Sequence, residues 1–157
     1  MAKLRAFLDA FRPKAPAPLP DPDAELALGA LMVRIARSDR AYQFEEISLI
    51  DRILARIYGH NAIEAAKVRA TCEKLHAAAP ESDTFARLIR ETTGEAERLA
   101  ALEALWEVVL ADGREDLAET KIVDEARRII GLSQADSEAA RARVAARLDA
   151  VSPVPLP

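Results

Sequence analysis

The sequence predicts an all-α fold: a single-domain helical bundle with two pseudo-symmetric helix–acidic turn–helix halves and about seven or eight helices in all. Three observations predict it. Half of the residues are hydrophobic but only 4% are aromatic, and the abundant Ala, Leu, Ile, Arg and Glu favour helices. Apolar residues recur three or four apart, and no alternating Val/Thr/aromatic run marks a strand. The stretch Leu105–Ile130 also aligns with Met32–Ile57 at an offset of 73 residues. That offset places Asp112 on Asp39, Glu119 on Glu46, Asp124 on Asp51 and Ile130 on Ile57.

Taken in order, residues 1–12 read as a short amphipathic helix with Leu4, Phe7, Leu8 and Phe11 on one face. Three turns are marginal alone, so this face needs a cover: its own domain, a partner, or weakly a membrane surface. Pro13, Pro16, Pro18, Pro20 and Pro22 make residues 13–22 a semi-stiff linker. The folded domain spans 23–150. Its first helix runs from Asp23 to about Ser38, with Leu28, Leu31, Met32 and Ile35 apolar. The next covers Phe44 to Tyr58 with the stripe Ile47, Ile50, Leu54 and Ile57, and Gly59 follows as a C-terminal stop. Asn61-Ala-Ile-Glu64 reads as a capping box opening a helix that ends before Pro80. A short helix opens at Ser82 or Asp83 and carries Phe85, Leu88 and Ile89. Glu95 to Leu110 presents Leu99, Leu102, Leu105, Trp106 and Val109. Leu117 to Ile130 turns Ile122, Val123, Ala126, Ile129 and Ile130 inward, and Gly131 ends it. Ser133 caps a last helix anchored by Val144 and Leu148, and 151–157 is a proline-rich tail.

Net charge −4 and pI 5.3 give no bulk attraction to nucleic acid. The lone Cys72 excludes an internal disulfide and a Cys-rich zinc module. No apolar run reaches membrane-span length, and no secretory signal pattern opens the chain. The expected compartment is the cytoplasm, with residues 1–12 as a candidate weak contact to a membrane surface.

The acidic turns are the candidate site. The second reads Asp112-Gly-Arg-Glu-Asp116-Leu-Ala-Glu119 and the first Asp39-Arg-Ala-Tyr-Gln43-Phe-Glu45-Glu46. In each, an Asp ends one helix and a Glu lies in the first turn of the next. Helix capping and the macrodipole account for Glu119 and Glu46 without a ligand. The aspartates face the negative end of a helix dipole, an unfavourable place by about 0.3–1 kcal/mol. Ordinary Asp-Gly turn chemistry explains Asp112, but Arg40 stands where the first turn would need glycine. The alternative is an all-oxygen site for a hard cation, Ca²⁺ or Mg²⁺, formed by Asp39, Glu46, Asp112 and Glu119, with Asp116 as a further ligand. The spacing is too short for an EF-hand.

With these residues in view, the chain resembles the TerB-like family, named from tellurite resistance. The resemblance rests on Leu31-Met-Val-Arg-Ile-Ala-Arg-Ser-Asp39 followed by Glu46, on Asp83-Thr-Phe85, and on Leu105-Trp-Glu-Val-Val-Leu-Ala-Asp-Gly113 followed by Glu119. It covers roughly Asp23 to Leu148. It implies an all-helical fold of two similar halves and a metal site at Asp39, Glu46, Asp112 and Glu119. It also implies association with tellurite and other stress resistance through protein assemblies at or near the membrane. The first turn departs from the family's usual Ala-Asp-Gly, with Ser38-Asp39-Arg40, and has Gln43 where an acid is common.

Other chemistry is thin. Cys72 and His76 share a helical face but lack further soft ligands. Neither histidine has a readable nucleophile–acid partner, no glycine-rich phosphate loop occurs, and Trp106 reads as core. No catalytic residue is expected. The expectation is a non-enzymatic domain that binds a divalent cation and works through a protein partner. The alternative is a metal-independent helical adaptor.

Overall fold

The first helix of the bundle starts where Asp23 accepts a hydrogen bond from the Leu26 amide (2.9 Å), which satisfies one of the orphan donors of a helix N-terminus. The computed structural model describes residues 19–38, 44–81 and 83–151. The amphipathic segment expected at 1–12, most of the 13–22 linker, Asp39 and the tail beyond 151 lie outside the described residues. Among the described residues there are seven helices: α1 (Ala24–Arg37), α2 (Phe44–Tyr58), α3 (Ala62–Ala78), α4 (Thr84–Thr92), α5 (Glu95–Leu110), α6 (Leu117–Ile130) and α7 (Gln134–Val151).

Local chemistry sets most of these boundaries. Asn61 and Glu64 complete a reciprocal capping box at α3 (Glu64 N–H to Asn61 2.8 Å, Asn61 N–H to Glu64 3.2 Å). Ser133 and Asp136 do the same at α7, each side chain accepting from the other's amide at 3.0 Å. Gly131 closes α6 at φ +91°. Its amide and that of Leu132 turn back onto the Arg127 carbonyl (3.0 and 3.1 Å), a Schellman-type ending that disfavours a residue with a Cβ.

The pairing of elements is that of a pseudo-twofold. Helices α1 and α5 cross at the centre, α1 also meets α6, and α5 meets α2. Exchanging the halves α1–α2–α3 and α5–α6–α7 leaves this pattern unchanged. The offset of 73 residues separates the ends of α1 and α5 (Arg37, Leu110), the starts of α2 and α6 (Phe44, Leu117) and the ends of α3 and α7 (Ala78, Val151). The repeat therefore covers three helices per half, one more than the sequence alignment reached. Helix α4 joins the halves and packs on α1 and α6.

Helix α1 departs from the amphipathic pattern expected of it. Besides Leu28, Leu31, Met32 and Ile35, it buries Ala27, Gly29, Ala30, Val33 and Ala36. Its neighbours explain this: α3, α4 and α5 cover it most, and α2 and α6 add to them. Small residues let α3 approach closely. A Cβ added to Gly29 would stand 2.2 Å from the buried Cys72 Sγ. Ile53, Ala86 and Ala104 also join the core without belonging to the expected stripes, whereas Leu148 is 36% exposed rather than an anchor.

Two ion pairs that cross between the halves start from one repeat position with opposite polarity, though their partners do not correspond. Arg34 of α1 reaches Glu125 of α6 (3.5 Å). Its counterpart on α5, Glu107, accepts from Arg56 of α2 (2.5 Å) and also from Arg147 of α7 (3.0 Å). Glu107 is buried, so these bonds offset the cost of removing its charge from water.

Gly29→Ala should lower unfolding stability by about 1–3 kcal/mol, the range for overpacking a core. In urea titrations the Gly29→Ala/Cys72→Ala double mutant should lose less than the sum of the singles, because the second change removes the atom the new methyl meets. Additive losses would contradict this packing.

Candidate metal centre at the acidic turns

The second turn is the better defined. After α5 ends at Leu110, the Gly113 amide donates to the Leu110 carbonyl (3.1 Å), with Gly113 at φ +75°. Asp112 Oδ1 accepts from the Arg114 amide (2.9 Å), a local Asx turn. Asp116, extended at φ −83° and ψ 133°, caps α6 by accepting from the Ala118 amide (2.8 Å). Glu115 pairs with Arg141 of α7. Glu119 follows in the first turn of α6 and is only 4% exposed, unlike the solvent-exposed Asp112 and Asp116. A carboxylate placed there has a favourable dipole, and its burial demands polar compensation.

In the first turn, α1 ends at Ser38, whose hydroxyl donates to the Ile35 carbonyl (2.7 Å). Asp39 to Gln43 lie outside the described residues, and Glu46 is half-buried in the first turn of α2. Both glutamates thus occupy the same repeat position at the start of a second helix. Among the described residues, no three His, Cys, Asp or Glu side chains gather as a metal-holding group. Glu46, Asp112, Asp116 and Glu119 are all among those residues, so the described acids of the two turns do not gather into a site. Their chemistry fits a hard cation, because every donor is an oxygen.

The secondary candidates resolve differently. Cys72 is fully buried; its thiol donates to the Leu26 carbonyl (3.5 Å), and burial, then Glu25 and Asp23, push it up to about 12. Burial, then Arg37 and Arg34, hold His76 below the ordinary histidine range. Cys72 packs in the core, and among the described residues no third His, Cys, Asp or Glu joins it and His76 in a metal-holding group. Trp106 is core, as expected, with its indole N–H donating to the buried Ser137 hydroxyl (3.1 Å).

Sequence reasoning missed the contact between His60 Nε2 and Glu25, which joins the α2–α3 junction to the start of α1. No local pattern signals it, because the partners come from separate helix ends. The Glu25 hydrogen bond raises the His60 pKa, with Glu64 (3.7 Å) assisting.

These observations define a class: an all-α domain of two three-helix halves, each carrying an acidic turn between its first two helices. The family profile described as tellurite resistance protein TerB matches residues 25–142, and the chain belongs to that family. No curated protein and no solved structure matches it. Among the described residues, no helix is long and apolar enough to cross a membrane.

The two histidines give stability a specific pH dependence. His60, raised in the fold, contributes stability that is present below the unfolded pKa of about 6.5 and lost as pH rises through its folded value. His76, lowered in the fold, contributes in the other direction: stability is lost as pH falls below about 6.5 toward its folded value. Melting temperature should therefore peak near pH ~6.5. His60→Gln should flatten the alkaline side and His76→Gln the acidic side. Unchanged profiles in both variants would contradict these environments.

Proposed function

We propose that this TerB-family chain is a non-enzymatic domain that binds a divalent cation, Ca²⁺ or Mg²⁺, through its paired acidic turns. The ligands are Asp39, Glu46, Asp112 and Glu119, with Asp116 as an additional oxygen. The domain acts through a protein partner in the stress or tellurite resistance to which the family name refers, and its compartment is the cytoplasm. The observation that supports the metal reading is that the two acidic turns join helix ends 73 residues apart in sequence, with a glutamate at the same place in the first helical turn of each second helix. The described acids of the two turns do not gather as they stand. The reading therefore needs the turns to converge on one ion, or each to complete its shell with water and carbonyl oxygens, and the shared ion is the form put to test. The bound charge would neutralise carboxylates at two helix junctions and fix one half against the other.

A second reading keeps the adaptor and drops the metal. It is favoured by the protein partners already held by Asp112, Glu115 and Asp116. Phe44 and Leu117 support it too: they are 77% and 86% exposed at equivalent positions beside the two turns, and would serve as apolar contacts for a partner.

Thermal unfolding in EDTA, Mg²⁺, Ca²⁺ and Mn²⁺ separates the two. An ion that binds only the folded state stabilises it by about 2.7 kcal/mol at a hundred times its dissociation constant. Binding across both turns predicts that Asp39→Asn and Asp112→Asn each abolish the shift. Millimolar metal with no shift in the wild type would leave the adaptor reading. A shift surviving in either single variant would exclude one shared ion.

A further inference from the structure

A separate groove lies at the end of the bundle where the chain enters α1. Ala24 and Leu28 of α1, Ile57 and Tyr58 of α2, Ile89 of α4 and Ala101 of α5 enclose about 350 Å³ there. This volume is within the range of sites that take apolar groups. Its rim is acidic: Glu97 lines it, and the Tyr58 hydroxyl is pushed up to about 12 by burial, then by Glu25, Asp23 and Glu97. His60 holds one of these acids, Glu25. The groove lies away from the acidic turns, which join the opposite ends of α1 and α5 to their successors.

The chemistry that fits this groove is a basic segment with an apolar stripe, and the chain carries one immediately upstream. Residues 1–12 bear Leu4, Phe7, Leu8 and Phe11 at helical spacing, with Lys3, Arg5 and Arg12 against a single acid, Asp9. The linker 13–22 connects this segment to Asp23, one residue before the groove begins at Ala24. Ten residues span about 30 Å when extended, so the segment is tethered within reach of the groove. Tethering also makes the contact intramolecular, which lowers the intrinsic affinity it needs.

We propose that residues 1–12 dock in cis, seating the Leu4/Phe7/Leu8/Phe11 face in the groove between α1, α2, α4 and α5, with their basic residues on its acidic rim.

Disulfide trapping in the full chain tests this. Cys72 is buried and stays silent in dilute, mildly oxidising conditions. The pair Ala10→Cys/Ala100→Cys joins the edge of the segment's stripe to the exposed wall of the groove. The control Ala10→Cys/Arg128→Cys uses an exposed position on α6. Docking predicts that the groove pair forms an intramolecular bond about ten-fold faster than the control, from higher effective concentration. Adding Phe7→Asp and Phe11→Asp should reduce that rate to the control's. Equal rates for the two pairs would overturn the proposal, as would a rate indifferent to the phenylalanine changes. Disulfide-linked dimers as the main product would also overturn it, by assigning the groove to a second copy.

Discussion

Because α1 is buried along most of its length, the helices around it must approach closely enough to exclude water from nearly every face. Gly29, Ala27, Ala30 and Ala36 allow that approach, and the larger Leu28, Leu31, Met32 and Ile35 fill the space between its neighbours. Close packing of this kind makes a core sensitive to a single added methyl. It also fixes the direction in which α1 ends, and hence where the first acidic turn leaves the bundle. Helix α5 sets the second turn in the same way, burying Leu102, Leu105 and Val109 before Ala111-Asp112-Gly113.

The two halves share a path without sharing chemistry. Arg34 and Glu107 occupy the same repeat position with opposite charge, and each pairs with the other half. Asp51 and Asp124 also correspond, yet Asp51 binds Arg69 of α3 (2.9 Å) while Asp124 binds Arg127 and Arg128 on its own helix (2.8 and 2.7 Å). Accordingly α2 and α3 pack extensively, whereas α6 and α7 do not form a comparable contact. The gap left there is an open groove lined by Trp106, Leu117, Asp124 and Ser137. Symmetry survives where backbone paths and core volume demand it, at the helix ends, and is lost where single side chains bridge neighbours.

The helices were legible because their signals are local. The Asn61–Glu64 box, the left-handed Gly131 and the three- and four-residue apolar spacing act within one or two turns. The repeat was legible in the turns and only partly in the packing: the third helix of each half keeps the offset in its end points (Ala78, Val151) with few identities. What stayed hidden depends on contacts between distant segments. The all-round burial of α1 follows from how many helices cover it. The Glu25–His60 and Arg56–Glu107–Arg147 pairs require helix ends to meet that the sequence does not juxtapose. The burial of Glu119, beside the exposed Asp112 and Asp116, is likewise a tertiary fact.

The central functional claim is one hard cation held by both turns. Trp106, the sole tryptophan, lines a groove with Leu117 and Thr120, the residues on either side of Ala118 and Glu119. It can therefore act as an energy donor to a luminescent Ca²⁺ substitute. Titrating the full chain with Tb³⁺ and exciting Trp106 tests the claim most directly. The account predicts saturable sensitised emission at one ion per chain, displaced by excess Ca²⁺ and lost in both Glu46→Gln and Glu119→Gln. Absence of emission, or emission that survives Glu46→Gln, would contradict a site shared between the halves.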